Sequence, residues 1–208
     1  MMLVKLWGNS IRSPGSSVLW ITFTTINVPG AIFTSAFGIN DAGQIVGAYG
    51  TGSQTFGFVD NGGVFTTISI TSSGPTFAFG INNLGQIVGS DCPDPHSGQC
   101  DGFLDKGGTF TTISAPGAIF TRADGINDAG QIVGCSYAPP GPCQAFLYTN
   151  GTFTTIDVPH SIPGSYSEAR GINDAGEIVG VFSPVSEPGT LMLLCTGIIG
   201  LFGMLRRR

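Results

Sequence analysis

A block opening Gly-Ile-Asn recurs four times: GINDAGQIVG from Gly38, GINNLGQIVG from Gly80, GINDAGQIVG from Gly125 and GINDAGEIVG from Gly171. The tetrapeptide FTTI keeps step with it at Phe23, Phe65, Phe110 and Phe153, and both series advance by 42 to 46 residues. A period of that size means a supersecondary unit stacked on copies of itself, because one unit cannot bury its apolar face alone. A third element, Phe-rich and ending in a Gly turn, stands at FGFVDNGG from Phe56, GFLDKGG from Gly102 and AFLYTNG from Ala145, and the fourth repeat lacks it.

Each unit reads as four short strands: FTTI with its flanks, the stretch ending in Gly-Ile, the QIVG segment and the Phe-rich segment. Asn-Asp-Ala-Gly and Asn-Asn-Leu-Gly supply the left-handed conformations of a tight hairpin, and Asn61-Gly62, Asn150-Gly151 and Lys106-Gly107-Gly108 mark another. With 33 Gly, 13 Pro and only 10% charged residues, the composition agrees with many turns and few solvated helices. In the last FTTI strand Thr154, Ile156 and Val158 share one face by the period of two, so the Ile/Val face is core, and Phe153 on the opposite face implies partial cover there too. The expected class is therefore all-β and β-propeller-like, four-bladed or an open, truncated array. In the closed version Leu3 to Gly8 (LVKLWG) substitute for the missing Phe-rich strand and pair beside Ile178 to Val181.

The GIN-to-VG block followed by an aromatic strand resembles the family described as probable extracellular HAF repeats, over about residues 20–182. The His-Ala-Phe signature survives only as Phe56-Gly57-Phe58, Asp101-Gly102-Phe103 and Gln144-Ala145-Phe146. This resemblance implies an extracellular location more than any activity. Residues 1–19 form an N-terminal segment with the candidate closing strand, 20–182 the repeat domain, 183–190 a linker and 191–208 a hydrophobic helix with a basic end.

Cys92 and Cys100 are eight apart, as are Cys135 and Cys143, and both pairs fall in the loop between the QIVG and Phe-rich strands. Neighbouring strands already bring the ends of such a loop together, so bridges Cys92–Cys100 and Cys135–Cys143 are expected. Zinc fingers space paired ligands more closely, and His96 has no counterpart in the second loop. Disulfides in turn place the body in an oxidising compartment.

From Leu191 to Leu205 the chain carries no charge, and Arg206, Arg207 and Arg208 end it. As a helix this run is on the order of 22 Å long, short of a ~30 Å hydrocarbon core, with Arg able to snorkel to the cytoplasmic face. Immediately before it stand Ser186, Glu187, Pro188 and Thr190. Together these features look like a PEP-CTERM sorting signal, with Ser186 in place of the first Pro. The resemblance implies recognition by an exosortase, membrane anchoring through residues 191–205 before processing, and release to the cell surface or extracellular matrix. Cys195 within the run reads as an apolar side chain. Residues 1–30 do not form a clean secretory signal, so either a start elsewhere or a longer parent array is expected.

Upstream of the tail five cations face thirteen acidic residues, a balance that repels phosphate and excludes nucleic acid. Asp41, Asp128 and Asp174 recur at one hairpin position, with Asn83 in the second repeat, and read as turn formers rather than acids or metal ligands. No phosphate-cradling loop, nucleophile elbow or metal-binding His pair is present, and no cofactor is expected. The expected function is a non-catalytic exported surface or matrix protein associated with exopolysaccharide or biofilm. The alternative is a propeller lyase or glycosidase using facing carboxylates, which the fold does not decide.

Overall fold

The computed structural model describes residues 2–5, 22–71, 74–94, 96–157 and 165–183, and among these it contains strands but no helix. Three complete antiparallel meanders succeed one another. The first joins β3 (Phe33–Ile39), β4 (Ile45–Gly50), β5 (Thr55–Asn61) and β6 (Val64–Ile68). The second joins β7 (Thr76–Ile81), β8 (Ile87–Asp91), β9 (Asp101–Lys106) and β10 (Thr109–Ile113). The third joins β11 (Phe120–Ile126), β12 (Ile132–Tyr137), β13 (Cys143–Thr149) and β14 (Thr152–Thr155). A two-stranded sheet stands at each end, β1 (Met2–Lys5) with β2 (Thr22–Thr25), and β15 (Ser167–Ile172) with β16 (Ile178–Phe182).

Four strands per repeat is therefore right, but the phase shifts by one strand. FTTI does not open a sheet; it closes the sheet begun by the preceding Gly-Ile strand, as β6 pairs with β5 through Phe58 opposite Thr67. Asn61-Gly62-Gly63 makes this local pairing, with Gly62 and Gly63 at φ 66° and 96° and the Asp60 carboxylate accepting the Gly63 N–H at 2.7 Å. In the three complete sheets the Phe of FTTI packs against a Phe of its hairpin partner: Phe58–Phe65, Phe103–Phe110 and Phe146–Phe153 meet edge to face at 5.7, 6.0 and 5.1 Å, though Phe110 stays 39% exposed.

Ring closure by the N-terminal segment is not observed. β1 does take the Phe-rich place, since its partner is the first FTTI strand, Leu3 opposite Thr24. Yet among the described residues β16 pairs only with β15, and the sheets form an open stack of three full sheets between two half sheets. Local hairpins form each half without requiring contact between the two ends.

Successive sheets adhere through one recurring interface. Val46 and Ile68 of the first sheet pack on Ala78, Ile81 and Phe103 of the second. Val88 and Ile113 repeat the arrangement against Ala123, Ile126 and Phe146. Each wholly buried valine contributes about 1.5 to 3 kcal/mol. The glycine of GIN lets the first strands approach backbone to backbone: a Cβ on Gly80 would stand 2.8 Å from the Asp124 carbonyl and 3.2 Å from the Gly125 Cα.

The GIN turns hold the sheets together at one end. Asn82 Nδ2 donates to Gln86 Oε1 at 2.9 Å and to the Asn127 carbonyl at 3.0 Å, while its Oδ1 accepts the N–H groups of Leu84 and Gln86. Asn40 reaches the Asn82 carbonyl, and Asn127 the Asn173 carbonyl, in the same way. A second ladder runs beside it, from the Asp41 N–H to Asn83 Oδ1, the Asn83 N–H to Asp128 Oδ1 and the Asp128 N–H to Asp174 Oδ1. Asp128 and Asp174 thus tie turns to one another as well as shaping them.

Both expected disulfides form, Cys92–Cys100 and Cys135–Cys143, and the second spans a Cα separation of 5.8 Å. Each closes the loop between the second and third strands of its own sheet. Loop entropy makes such a nine-residue ring worth on the order of 2 to 3 kcal/mol.

Candidate functional site

Along each first strand the side chains alternate. Thr76 and Ala78, Thr121 and Ala123, and Ser167 and Ala169 are buried in the sheet interior. The intervening positions, Ser35 and Phe37, Phe77 and Phe79, Arg122 and Asp124, Glu168 and Arg170, share the other side by the period of two. Here the otherwise self-similar repeats carry different chemistry.

The close spacing set by the GIN glycines joins these positions into one strip across four sheets. Phe37 meets Phe79 with ring centroids 5.3 Å apart, and Phe77 stacks beside Phe79 at 5.8 Å with the planes 5° from parallel. The Arg122 guanidinium lies over the Phe79 ring, 5.4 Å from its centroid. Arg122 Nε donates to Asp124 Oδ1 at 2.8 Å, and Arg122 Nη2 donates to Glu168 Oε1 in the next sheet. Arg170 Nε reaches the same Glu168 oxygen at 3.2 Å, and the Tyr166 hydroxyl donates to Glu168 Oε2. Phe37 and the Arg170 side chain stay 47% and 62% exposed, so both ends of the strip are open to solvent.

The two carboxyl groups sit in different fields. Burial pushes Asp124 up to about 6 against the pull of Arg122, and its Oδ2 is buried with no hydrogen-bond partner among the described residues. Burial also pushes Glu168 up, but the Tyr166 hydrogen bond with Arg122 and Arg170 outweighs it and holds that carboxylate below its ordinary value. The same bond to Glu168 raises the Tyr166 phenol.

Asp124 therefore binds its proton more tightly folded than unfolded. Its contribution to stability falls as pH rises from the ordinary 3.8 through about 6, and is level above that. The Asp124→Asn variant should consequently gain roughly 1 to 3 kcal/mol on the wild type between pH 4 and pH 7. Urea midpoints of both proteins at the two pH values check this, and a constant difference contradicts it.

Other concavities lie elsewhere. A cleft of about 250 Å³ beside Ile32, Phe33 and Gln54, and one of about 450 Å³ reaching Gln44, Thr67 and Asp105, include neither Asp124 nor Glu168. Of the residues expected from the sequence to matter, the structure brings the four loop cysteines together in two pairs. Ser186, Glu187, Pro188, Thr190, Arg206, Arg207 and Arg208, with the apolar run 191–205, lie outside the described residues. Among the described residues no helix is long and apolar enough to cross a membrane.

The strip itself was missed from sequence. Its signal is the frame x-Ala-x-Gly-Ile, whose variable positions read Ser/Phe, Phe/Phe, Arg/Asp and Glu/Arg along the chain.

Residues 184–208 match the family model of the PEP-CTERM protein-sorting motif. That match covers the tail and not the repeat body. No curated protein matches the chain.

Proposed function

We propose that this chain is a non-catalytic exported protein, sorted by an exosortase through its C-terminal signal, whose HAF-type repeat body holds polysaccharide at the cell surface or in the extracellular matrix. The sorting motif implies export, a C-terminal membrane anchor before processing, and an exosortase as processing partner. The observation that carries the binding role is the strip. The exposed aromatic face of Phe37 suits the apolar C–H faces of sugar rings, and the guanidinium and carboxylate groups further along the strip suit hydroxyl and uronate oxygens. An extended row of subsites fits an extended polymer.

Calorimetry of the full chain in detergent against exopolysaccharide from its host tests this. Phe37→Ser and Arg170→Ala together should weaken binding at least about tenfold, equivalent to 1.4 kcal/mol. Equal affinity in variant and wild type removes the strip from the reading. Mass spectrometry of the native protein should find its C-terminus near Pro188, and an intact Arg208 refutes processing.

A second reading, a lyase or glycosidase, draws on Asp124 and Glu168, whose acidities are driven apart while both share Arg122. The ion-pair role is favoured because both carboxylates are already engaged by arginine. Release of new reducing ends or unsaturated termini that stops in Asp124→Asn would transfer the function to that reading.

A further inference from the structure

The two ends of the array are the unmatched halves of the interface that joins its sheets. Val46, Val88 and Val133 are each 0% exposed because the following sheet covers them. Val179, at the same place in β16, is 68% exposed. At the other end Ile81 and Ile126 are 8% and 6% exposed beneath the preceding sheet, whereas Ile39 in β3 is 51% exposed. What Val179 lacks is an Ile39-type surface, and what Ile39 lacks is a Val179.

The strand edges match in the same sense. In every complete sheet the second strand pairs with the third, β4 with β5, β8 with β9 and β12 with β13. Among the described residues β16 is a second strand without a third, and β1 is a third strand, held by its FTTI partner, without a second. Among the described residues both free edges are unpaired. The polar ladder is also cut here: among the described residues Asn173 Nδ2 donates only to its own Glu177, where Asn40, Asn82 and Asn127 also reach the next turn.

From this we infer that the chain assembles head to tail, β15–β16 of one copy completing a four-stranded sheet with β1–β2 of a second copy. Carrying over the internal register places Ile178 opposite Val4 and Gly180 opposite Met2 of that copy. Val179 then covers Ile39 as Val46 covers Ile81. The contact is heterologous, so each copy keeps one donor end and one acceptor end, and growth continues until a ring closes or as an open filament.

Sedimentation of the full chain in detergent decides the matter. The wild type should show masses that climb with concentration in steps of one chain. Val179→Arg and Ile39→Arg, both at exposed positions and expected to melt with the wild type, should each sediment as one chain. Their equimolar mixture should form a species of two chains and stop, because only one compatible junction remains. A wild type that is monomeric throughout, through closure on itself or two idle ends, overturns the inference. So do single variants that still associate, which would place association in the tail or a symmetric face, and so does a mixture that stays monomeric.

Discussion

Gly89→Ala is expected to destabilise the protein by more than about 3 kcal/mol, an unusually large cost for one added methyl group. The position is not a turn. It lies in β8 opposite the bulge between Ala78 and Gly80, where the first strand folds towards its neighbour. A Cβ at Gly89 would stand 1.9 Å from the Phe77 carbonyl oxygen and 2.7 Å from the ring of Phe103. The oxygen is backbone and Phe103 is buried in the core, so neither can move aside cheaply. Gly180 meets the Glu168 carbonyl at a similar 2.1 Å, but in the half sheet at the end of the array. Gly180→Ala should cost less, since β16 is largely exposed and can shift. Denaturant midpoints of both variants check the pair, and a Gly89→Ala protein within about 1 kcal/mol of the wild type contradicts the steric account.

The second large effect belongs to Asn82. Truncation to alanine removes a buried side chain that makes two donor and two acceptor contacts, and leaves the Gln86 N–H without its acceptor. At about 1 kcal/mol per net bond, plus the desolvation cost of orphaned groups, the expected loss is roughly 3 to 4 kcal/mol. Asn173→Ala at the exposed last turn, which among the described residues joins no further sheet of its own chain, should lose about 1 kcal/mol in the dilute monomer. Thermal melts of the two variants side by side separate the cross-sheet share from the local one. Equal losses would mean that the ladder between turns carries no weight.

Much of this architecture was legible because the chain repeats its own constraints. The recurrence of Gly-Ile-Asn gave sixteen short strands their order, and the matched Cys loops gave both disulfides. The strand phase was not legible, because FTTI can pair either with the strand before it or the one after it. Only the Gly62-Gly63 type of turn, tighter than the loop from Ile68 to Thr76, decides the former. The sequence leaves closure between a ring and an open array, because LVKLWG shows which role a strand takes and not which partner it finds. The strip stayed hidden for another reason. Attention to the repeated residues passes over positions that differ, and Phe79, Arg122 and Glu168 differ while contacting one another across sheets.

The recurring junction has a consequence for heredity as well as for packing. Since Gly38, Gly80, Gly125 and Gly171 offer one another interchangeable surfaces, a gene segment spanning a whole period can be lost or copied without creating a junction of a new kind. The length of the array thus becomes a quantity that unequal recombination can tune in increments of one sheet, while the strip gains or loses one pair of variable side chains at each step.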